Sequence, residues 1–243
     1  AGGEDLVFPH HENEIAQSEA ANGKPFARYW MHNAFLNIDN RKMSKSLGNF
    51  RTVREISEQY DLQVLRFFML SAHYRSPLNF SAELMEASKS GLERIVNAVD
   101  SLKYLLGSAK QEEMTAEEQE KAAKTKEFVR EFEDAMDDDF NTADAVAAIF
   151  DLVKYANTTA AGESSRAYLQ SLLNLIVRLS GVLGLKVEKQ EEMLDEEIEK
   201  MIEERQAARK AKDFAKADAI RDALLEKGII LKDTREGVQW KKA

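Results

Sequence analysis

The apolar residues between positions 81 and 185 recur every three or four positions, which is the spacing of an amphipathic helix. Residues able to cap a helix precede three of these stretches: Ser81, Thr115 with Glu118 three positions later, and Asn141. The first stretch places on one face the residues Leu84, Ala87, Gly91, Ile95, Ala98 and Leu102. Helices joined by short polar connections pack in antiparallel pairs. The pattern therefore predicts an antiparallel helix bundle over residues 81–185.

Residues 1–76 carry shorter elements of mixed type. A helix is predicted to open at Pro9, a strand to occupy 29–38, and a further helix to fill 62–74. A parallel sheet needs several strand–helix crossovers, and only one strand here is convincing. We therefore interpret 1–76 as the end of an α/β domain. The helix caps expected in this region are Thr52, with Glu55, and Asp61.

The last region, 195–243, is small and follows a polar linker. Its pattern predicts one helix over 196–212, a second over 214–228, and a β-hairpin whose turn lies at Asp233–Gly237. This region is interpreted as a small α+β domain. The fold class expected for the whole chain is mostly α.

Composition narrows the function classes. No run of eighteen apolar residues occurs, so no membrane span or membrane partner is expected. The chain has no cysteine, which fits a reducing compartment and a cytoplasmic location. A formal charge of −9 argues against indiscriminate nucleic-acid binding. A basic helix face is still expected, formed by Arg205, Arg209, Lys212 and Lys216.

The segment “KMSKS” places two lysines three positions apart in a polar loop. Lys42 and Lys45 can each approach a polyphosphate as a mobile point charge with three donors. Ser44 and Ser46 add hydroxyl donors, and Gly48 lets the backbone turn. Such donors matter most where charge develops in a transition state. The alternative, a solvated lysine loop, is the less favoured interpretation of this string.

Two further polar groups are weaker candidates. His10 and Glu14 share a face if they lie on one helix, as two ligands of one metal would, or they serve ordinary helix-terminus chemistry. His73, Tyr74 and Arg75 end a predicted helix. Either this end faces an active site or the aromatic ring packs structurally.

Four longer segments carry a family resemblance: “GGEDLVFPHHENEIAQSE”, “YWMHNAFLNIDNRKMSKSLGNF”, “LRFFMLSAHYRSPLNFS” and “MDDDFNTADAVAAIF”. Together they resemble the cysteinyl-tRNA synthetases, which are class I aminoacyl-tRNA synthetases with KMSKS as their second signature. The match runs from Ala1 to Trp240. The resemblance implies the end of a Rossmann-like catalytic domain and ATP-dependent ligation of L-cysteine to its cognate tRNA through cysteinyl-adenylate.

The resemblance also implies roles at the nucleotide site. Lys45, helped by Lys42, would neutralise the departing pyrophosphate as the catalytic lysine pair. Gly3 and Asp5 match a Gly-x-Asp that touches the ATP ribose, so Gly3, Asp5 and Lys45 are the expected ATP-binding residues. Mg²⁺ would accompany ATP as part of the substrate.

In this family a His-x-x-x-Glu pair supplies two zinc ligands, which the resemblance carries onto His10 and Glu14. The other two family ligands are cysteines, and this chain contains none. Zinc has a clear purpose there, because sulfur and oxygen differ too little in size for a pocket to sort by shape. A soft thiolate–zinc bond separates cysteine from serine. The expected zinc site is therefore incomplete in this chain.

For the tRNA partner, the resemblance assigns 195–243 to anticodon recognition. Arg221, Asp233 and Trp240 are the candidates for base contacts, with core packing as the alternative role of Trp240. The helix bundle is expected to contact the tRNA stem on the anticodon side. A monomer is expected.

The family's first signature, of the His-Ile-Gly-His type, is not found in the sequence. We therefore expect the chain to be a C-terminal portion of the enzyme that does not activate cysteine alone. Two rivals remain. One is the cysteine-activating ligase of mycothiol synthesis, which the basic, tryptophan-bearing last region disfavours; the other is a non-catalytic tRNA-binding module.

Overall fold

Four long helices form the bundle: α4 (Ala82–Ser108), α5 (Ala116–Asp137), α6 (Thr142–Thr159) and α7 (Arg166–Val182). In each case the side chain of a polar residue just before the helix accepts a hydrogen bond from the backbone N–H three positions later. These capping residues are Ser81, Thr115, Asn141 and Ser165. The predicted bundle and its three predicted caps are confirmed.

The bundle is held by an apolar core that α3 (Leu62–Leu70) extends. Side chains with no exposed surface come from three of the helices: Met85, Ile95, Ile149, Leu152, Leu172 and Ile176. Burying one such side chain is worth about 1.5–3 kcal/mol, so the core dominates the stability of this region. Phe67 and Phe68 of α3 belong to the same core. A Cβ at Gly91 would lie 3.0 Å from the Phe67 ring, so the glycine admits that ring.

The α/β region consists of short strands in two small sheets. In the first, β1 (Gly2–Gly3) pairs in parallel with β2 (His32–Asn33). In the second, β3 (Leu36–Ile38) lies between β4 (Arg41–Lys42), which is antiparallel to it, and β5 (Leu78–Phe80), which is parallel.

The prediction of one strand over 29–38 is therefore wrong. This stretch holds two strands that belong to different sheets, β2 and β3. The physical reason lies between them, where the Ala34 N–H donates to the Tyr74 carbonyl 2.9 Å away. The chain changes partners at that residue, and alternation of side chains cannot reveal such a change.

The helices of this region differ from prediction at their ends. Regular helix α1 (Glu12–Asn22) begins after a wide turn over Val7–His11, because Phe8 is extended (φ −133°, ψ 132°). Helix α2 (Val53–Ser57) carries the predicted capping box. Helix α3 ends at Leu70, four residues before its predicted end, where the Ser71 N–H donates to the Phe68 carbonyl, three positions back, and so leaves the α-helical pattern.

The computed structural model describes residues 1–188, 196–210, 213–226, 229–234 and 237–242. It divides into two compact units, Ala1–Lys189 and Gln190–Ala243. The α/β region and the bundle thus share one unit. No helix in the described ranges has both the length and the apolar character required to cross a bilayer.

The second unit pairs helices α8 (Glu196–Lys210) and α9 (Phe214–Glu226) with a hairpin of β6 (Ile229–Thr234) and β7 (Gly237–Lys242). Its core contains Ile202, Leu224 and Ile229. The predicted helix–helix–hairpin order is confirmed. Several predicted features lie outside the described residues: the helix ends at 211–212 and at 227–228, the middle of the hairpin turn, and linker residues 189–193.

Candidate functional site

The two glycines of β1 bring an acidic side chain close to the end of a strand. Gly2 and Gly3 pair in parallel with His32 and Asn33, and the Gly2 N–H donates to the Met31 carbonyl at 3.0 Å. A Cβ on Gly3 would lie 2.6 Å from Oδ1 of Asp5, so a larger residue here would displace the Asp5 carboxylate from this position. Asp5 is exposed just beyond the carboxyl end of β1. Ligands of open α/β sheets bind at such carboxyl ends.

A pair of imidazole rings, from His11 and His32, lies close to Gly2. The rings of His11 and His32 approach to 2.7 Å between Nδ1 and Nε2, so one nitrogen donates and the other accepts. Trp30 packs 4.9 Å from the His11 ring centre and stacks parallel to His32. A Cβ on Gly2 would lie 2.8 Å from His11 Cε1.

The cluster of His11, His32 and Trp30 was not predicted from the sequence. The predicted metal pair was His10 and Glu14, and Trp30 and His32 fell within the single strand predicted over 29–38. Their alternate spacing on one extended stretch was the available signal, because alternate residues of a strand share a face.

The proposed metal pair is exposed and stands alone. His10 lies in the wide turn before α1, whereas Glu14 lies in the first regular turn. Both are exposed to solvent. In the part of the chain that the structure describes, no three His, Cys, Asp or Glu side chains are grouped closely enough to hold a metal ion. A structural zinc takes four ligands and a catalytic one three, so these two residues do not complete a zinc site.

The lysine loop follows a tight hairpin. Asp39 and Asn40 connect β3 to β4 with positive φ angles of 48° and 60°, as a two-residue turn between twisted strands requires. Asn49 then closes the loop from both sides. Its Oδ1 accepts from the Ser44 N–H at 2.9 Å, and its Nδ2 donates to the Lys42 carbonyl at 3.1 Å.

Inside this loop the hydroxyls of Ser44 and Ser46 lie 3.1 Å apart, and Ser44 Oγ accepts from the Leu47 N–H at 3.3 Å. Lys42 is exposed, with Nζ 5.2 Å from the centre of the Phe35 ring, a cation–π distance. The backbone of Lys45 opens a short helical turn, and its side chain lies outside what the structure describes. Convergence of the two ammonium groups on one anion therefore stays a prediction.

The polar segment after α3 contacts the corner between α5 and α6. Tyr74 Oη donates to Asp139 Oδ1 at 2.8 Å, and Arg75 Nε lies 2.9 Å from Asp139 Oδ2. The Tyr74 hydroxyl, followed by the Asp139 carboxylate, raises the pKa of Arg75 above its ordinary value. His73 Nε2 is 3.1 Å from the Asp139 carbonyl, and its Nδ1 accepts from the Arg75 N–H at 3.2 Å. A carbonyl only accepts, so the proton is on Nε2.

The same segment borders the strand end. A cavity of about 300 Å³ is lined by Gly3, Asn33, His73 and Tyr74. A separate cavity of about 330 Å³ lies beside α2. The side chains of His73 to Arg75 thus bond to the bundle corner, and two of them line a cavity shared with Gly3. That this helix end faces an active site stays a prediction.

The candidate tRNA residues lie in the second unit. Arg221, on α9, forms ion pairs with Asp218 at 3.3 Å and Asp222 at 3.2 Å. In the hairpin, Asp233 is paired with Val238 and Trp240 with Leu231, while the side chains of Asp233 and Trp240 are outside the described part. One part of the predicted basic face is wrong, because Arg205 is buried at 6% exposure. Lys212 lies outside the described residues, and Arg209 and Lys216 are exposed.

Three family models match consecutive parts of the chain. Residues 1–90 match the class I (C) catalytic domain of tRNA synthetases, and residues 131–188 match the DALR domain. Residues 191–240 match the cysteinyl-tRNA ligase anticodon-binding domain.

Curated relatives are similar along the whole chain. A cysteine–tRNA ligase of Lachnospira eligens is 65% identical over 243 residues, which is all of this chain and 52% of that protein. A second, from Lachnoclostridium phytofermentans, is 59% identical and is covered to 53%. The chain therefore spans about half the length of the curated relatives it matches.

Among solved structures, the fold resembles a LeuRS from Agrobacterium radiobacter K84, crystallised in a ternary complex with tRNA and LeuAMS. The TM-score is 0.62 at 21% identity, and the likeness covers 74% of this chain and 24% of that one. At this identity the likeness concerns the fold alone.

Proposed function

Because the chain belongs to the cysteinyl-tRNA synthetase family, we propose that it supplies the nucleotide loop, the lysine loop and the anticodon-binding region of an ATP-dependent cysteine–tRNA ligase. The observation that carries this proposal is the arrangement of β1 and β2. Their parallel pairing puts Gly3 and Asp5 at the carboxyl edge of a sheet, and the lysine hairpin follows β2 along the same chain.

The proposed reaction has two steps. The carboxylate of L-cysteine attacks the α-phosphorus of ATP, the bond to the β-phosphate oxygen breaks, and pyrophosphate leaves with its electron pair. A terminal ribose hydroxyl of tRNA then attacks the acyl carbonyl of cysteinyl-adenylate, loses its proton, and AMP departs. Both steps need positioning and charge stabilisation, without a covalent enzyme intermediate.

Gly3, Asp5 and the two lysines take the nucleotide roles in this scheme. Asp5 accepts hydrogen bonds from the ATP ribose, and Gly3 leaves room for the ligand because it has no Cβ. Lys45, helped by Lys42, stabilises the pyrophosphate, with Mg²⁺ bound to the phosphates. Support comes from the Asn49 bonds, which hold the loop backbone at Lys42 and Ser44.

Zinc is proposed as a cofactor whose ligand set is shared with residues outside this chain. His10 and Glu14 would supply two ligands, and the described residues offer no third beside them. When bound, zinc would supply affinity for the cysteine thiolate. Neither step of the proposed reaction depends on zinc.

We propose that the acceptor is tRNA, and not the small molecule that a mycothiol-type ligase would use. The match of 191–240 to an anticodon-binding domain supports this choice. Arg221, Asp233 and Trp240 are the proposed contacts to anticodon bases, which are read by stacking and by their polar edges. The bundle is proposed to contact the stem on the anticodon side.

Filter binding of the purified chain to cysteine tRNA tests the tRNA role. We expect binding that weakens with salt and with an anticodon substitution, and that Trp240→Ala weakens by about 10- to 100-fold through lost base stacking. Tyr29→Ala is the control, since Tyr29 is an 88% exposed aromatic residue outside both the bundle and the second unit. Equal binding of both tRNAs would contradict anticodon recognition.

Catalysis is tested in a chimera that joins the N-terminal part of the Lachnospira eligens relative to this chain. We expect cysteine-dependent ATP–pyrophosphate exchange from the chimera and none from the 243 residues alone, because the chain alone offers two zinc ligands and no first signature. Exchange by the chain alone would contradict the second expectation. A folded chimera that exchanges no pyrophosphate would contradict the proposed activity.

A further inference from the structure

Asp139 occupies a backbone conformation that side chains rarely adopt. Asp139 and Phe140, at the corner between α5 and α6, have positive φ angles of 55° and 56°. Glycine takes this conformation freely, whereas a bulky residue such as phenylalanine pays for it in steric strain. Strained residues of this kind persist where the surrounding contacts fix them, and they concentrate at functional positions.

Backbone bonds to α5 hold part of this corner: the Phe140 N–H donates to the Met136 carbonyl at 3.2 Å, and the Asn141 N–H donates to the Ala135 carbonyl at 3.0 Å. The side-chain contacts to Asp139 come from one further segment, 73–75. Tyr74 and Arg75 bind the two carboxylate oxygens of Asp139, at 2.8 and 2.9 Å, and His73 donates to its carbonyl. Arg75 Nε also lies 3.0 Å from the Tyr74 hydroxyl. We call Tyr74, Arg75 and Asp139 the corner clasp. A glycine at 139 would relieve the strain but would lack the carboxylate.

From the clasp, a continuous set of contacts leads to the nucleotide loop. The carbonyl of Tyr74 accepts from the Ala34 N–H at 2.9 Å. Ala34 follows Asn33, which is paired with Gly3 in the parallel register. His73 and Tyr74 line the same 300 Å³ cavity as Gly3. Three bonded steps thus join a carboxylate of the helix bundle to the strand before Asp5.

Within this chain the ladder that holds the strand end is short. β1 and β2 contain two residues each, and an isolated two-stranded pair is at best marginally stable. Within this chain, the bond from the Ala34 N–H to the Tyr74 carbonyl adds a contact beyond the two-residue ladder that helps to hold Gly2 and Gly3.

We propose that Asp139 is a positioning residue that holds the Gly3–Asp5 nucleotide loop from the helix bundle, through Tyr74 and Ala34. The inference deepens the proposed function, on which its ATP-binding part rests.

Hydrogen–deuterium exchange on the 243-residue chain tests the mechanical part without any activity. Asp139→Gly should speed exchange of the Ala34 and Gly2 amides by about tenfold, while core amides of α7 keep their rates. Tyr74→Phe, which loses only the hydroxyl, should give a similar change, and the double variant should add little to either. Asp137→Ala is the charge-matched control. Ala34 exchange equal to that control in both variants would overturn the proposal.

The ATP-binding part is tested in the chimera. Asp139→Gly should raise the Michaelis constant for ATP by about tenfold and leave that for cysteine unchanged, as displacement of the nucleotide loop requires. Equal changes in both constants would overturn the link to ATP. If the unsubstituted chimera exchanges no pyrophosphate, the proposed function fails, whereas the exchange measurement on the chain still decides the role of Asp139.

Discussion

Lys45→Ala in the chimera is expected to lower kcat for cysteine-dependent ATP–pyrophosphate exchange by about 100- to 1,000-fold, the loss typical of one donor removed from a developing charge. Negative charge builds on the leaving pyrophosphate only in the transition state. The Michaelis constant for ATP should therefore change much less than kcat. Initial rates over a range of ATP concentrations separate the two constants.

Two comparisons sharpen this prediction. Lys24→Ala removes an exposed lysine outside the loop and should leave the rate unchanged. Lys42→Ala should cost less than Lys45→Ala, because Lys42 has the assisting role and its ammonium group rests over the Phe35 ring. If the chimera keeps its exchange rate without the Lys45 ammonium group, the lysine loop does not stabilise the leaving pyrophosphate as proposed.

Glu118→Ala is expected to lower the free energy of unfolding of the first unit by about 3 kcal/mol, because two backbone donors lose a charged acceptor in a buried place. Glu118 is only 7% exposed. Its Oε2 accepts from the Thr115 N–H at 2.9 Å, and its Oε1 accepts from the Ser165 N–H at 2.8 Å. One carboxylate therefore serves the starts of both α5 and α7. Urea unfolding at neutral pH measures the loss.

The control is Glu55→Ala. Glu55 makes the same capping box at α2 but is exposed, and among the described residues its side chain is hydrogen-bonded only to Thr52. Its loss should be clearly smaller. Equal effects of the two substitutions would show that the contact with Ser165 contributes nothing.

This stabilisation should depend on pH in a defined direction. Burial alone would raise the pKa of Glu118, but hydrogen bonds from Ser165 and Thr115 outweigh it and hold the pKa below the ordinary carboxyl value. A lowered pKa in the folded state means that the contribution is complete above the unfolded pKa and is lost as pH falls through the folded one. The difference in unfolding free energy between wild type and Glu118→Gln should therefore shrink in acid.

The predicted and observed elements agree best where local chemistry decides. The capping boxes at Thr52 and Thr115 join residues three positions apart, so they are visible in the sequence. The strand over 29–38 was predicted poorly, because Ala34 bonds to Tyr74, forty residues later, and divides the stretch between two sheets.

The candidate site shows the same division. The lysine loop, the glycines before Asp5 and the His10–Glu14 pair were found as short strings, and their roles remain proposals. The imidazole pair of His11 and His32 was missed, since its members are 21 positions apart. The assignment of Arg205 to an exposed basic face failed because helical spacing does not reveal which side a small core will bury.

By itself the sequence determined the order of the helices, the caps at Thr52, Asp61, Ser81, Thr115 and Asn141, the final hairpin and the family. Each of these depends on periodicity, on neighbours within one turn of helix, or on long ordered motifs. Only the tertiary structure decided that Glu118 also serves the helix starting at Ser165 and that Asp139 binds Tyr74 and Arg75. Those partners are brought together by packing of the bundle, and a hydrogen bond between distant residues leaves no spacing in the sequence by which it could be recognised.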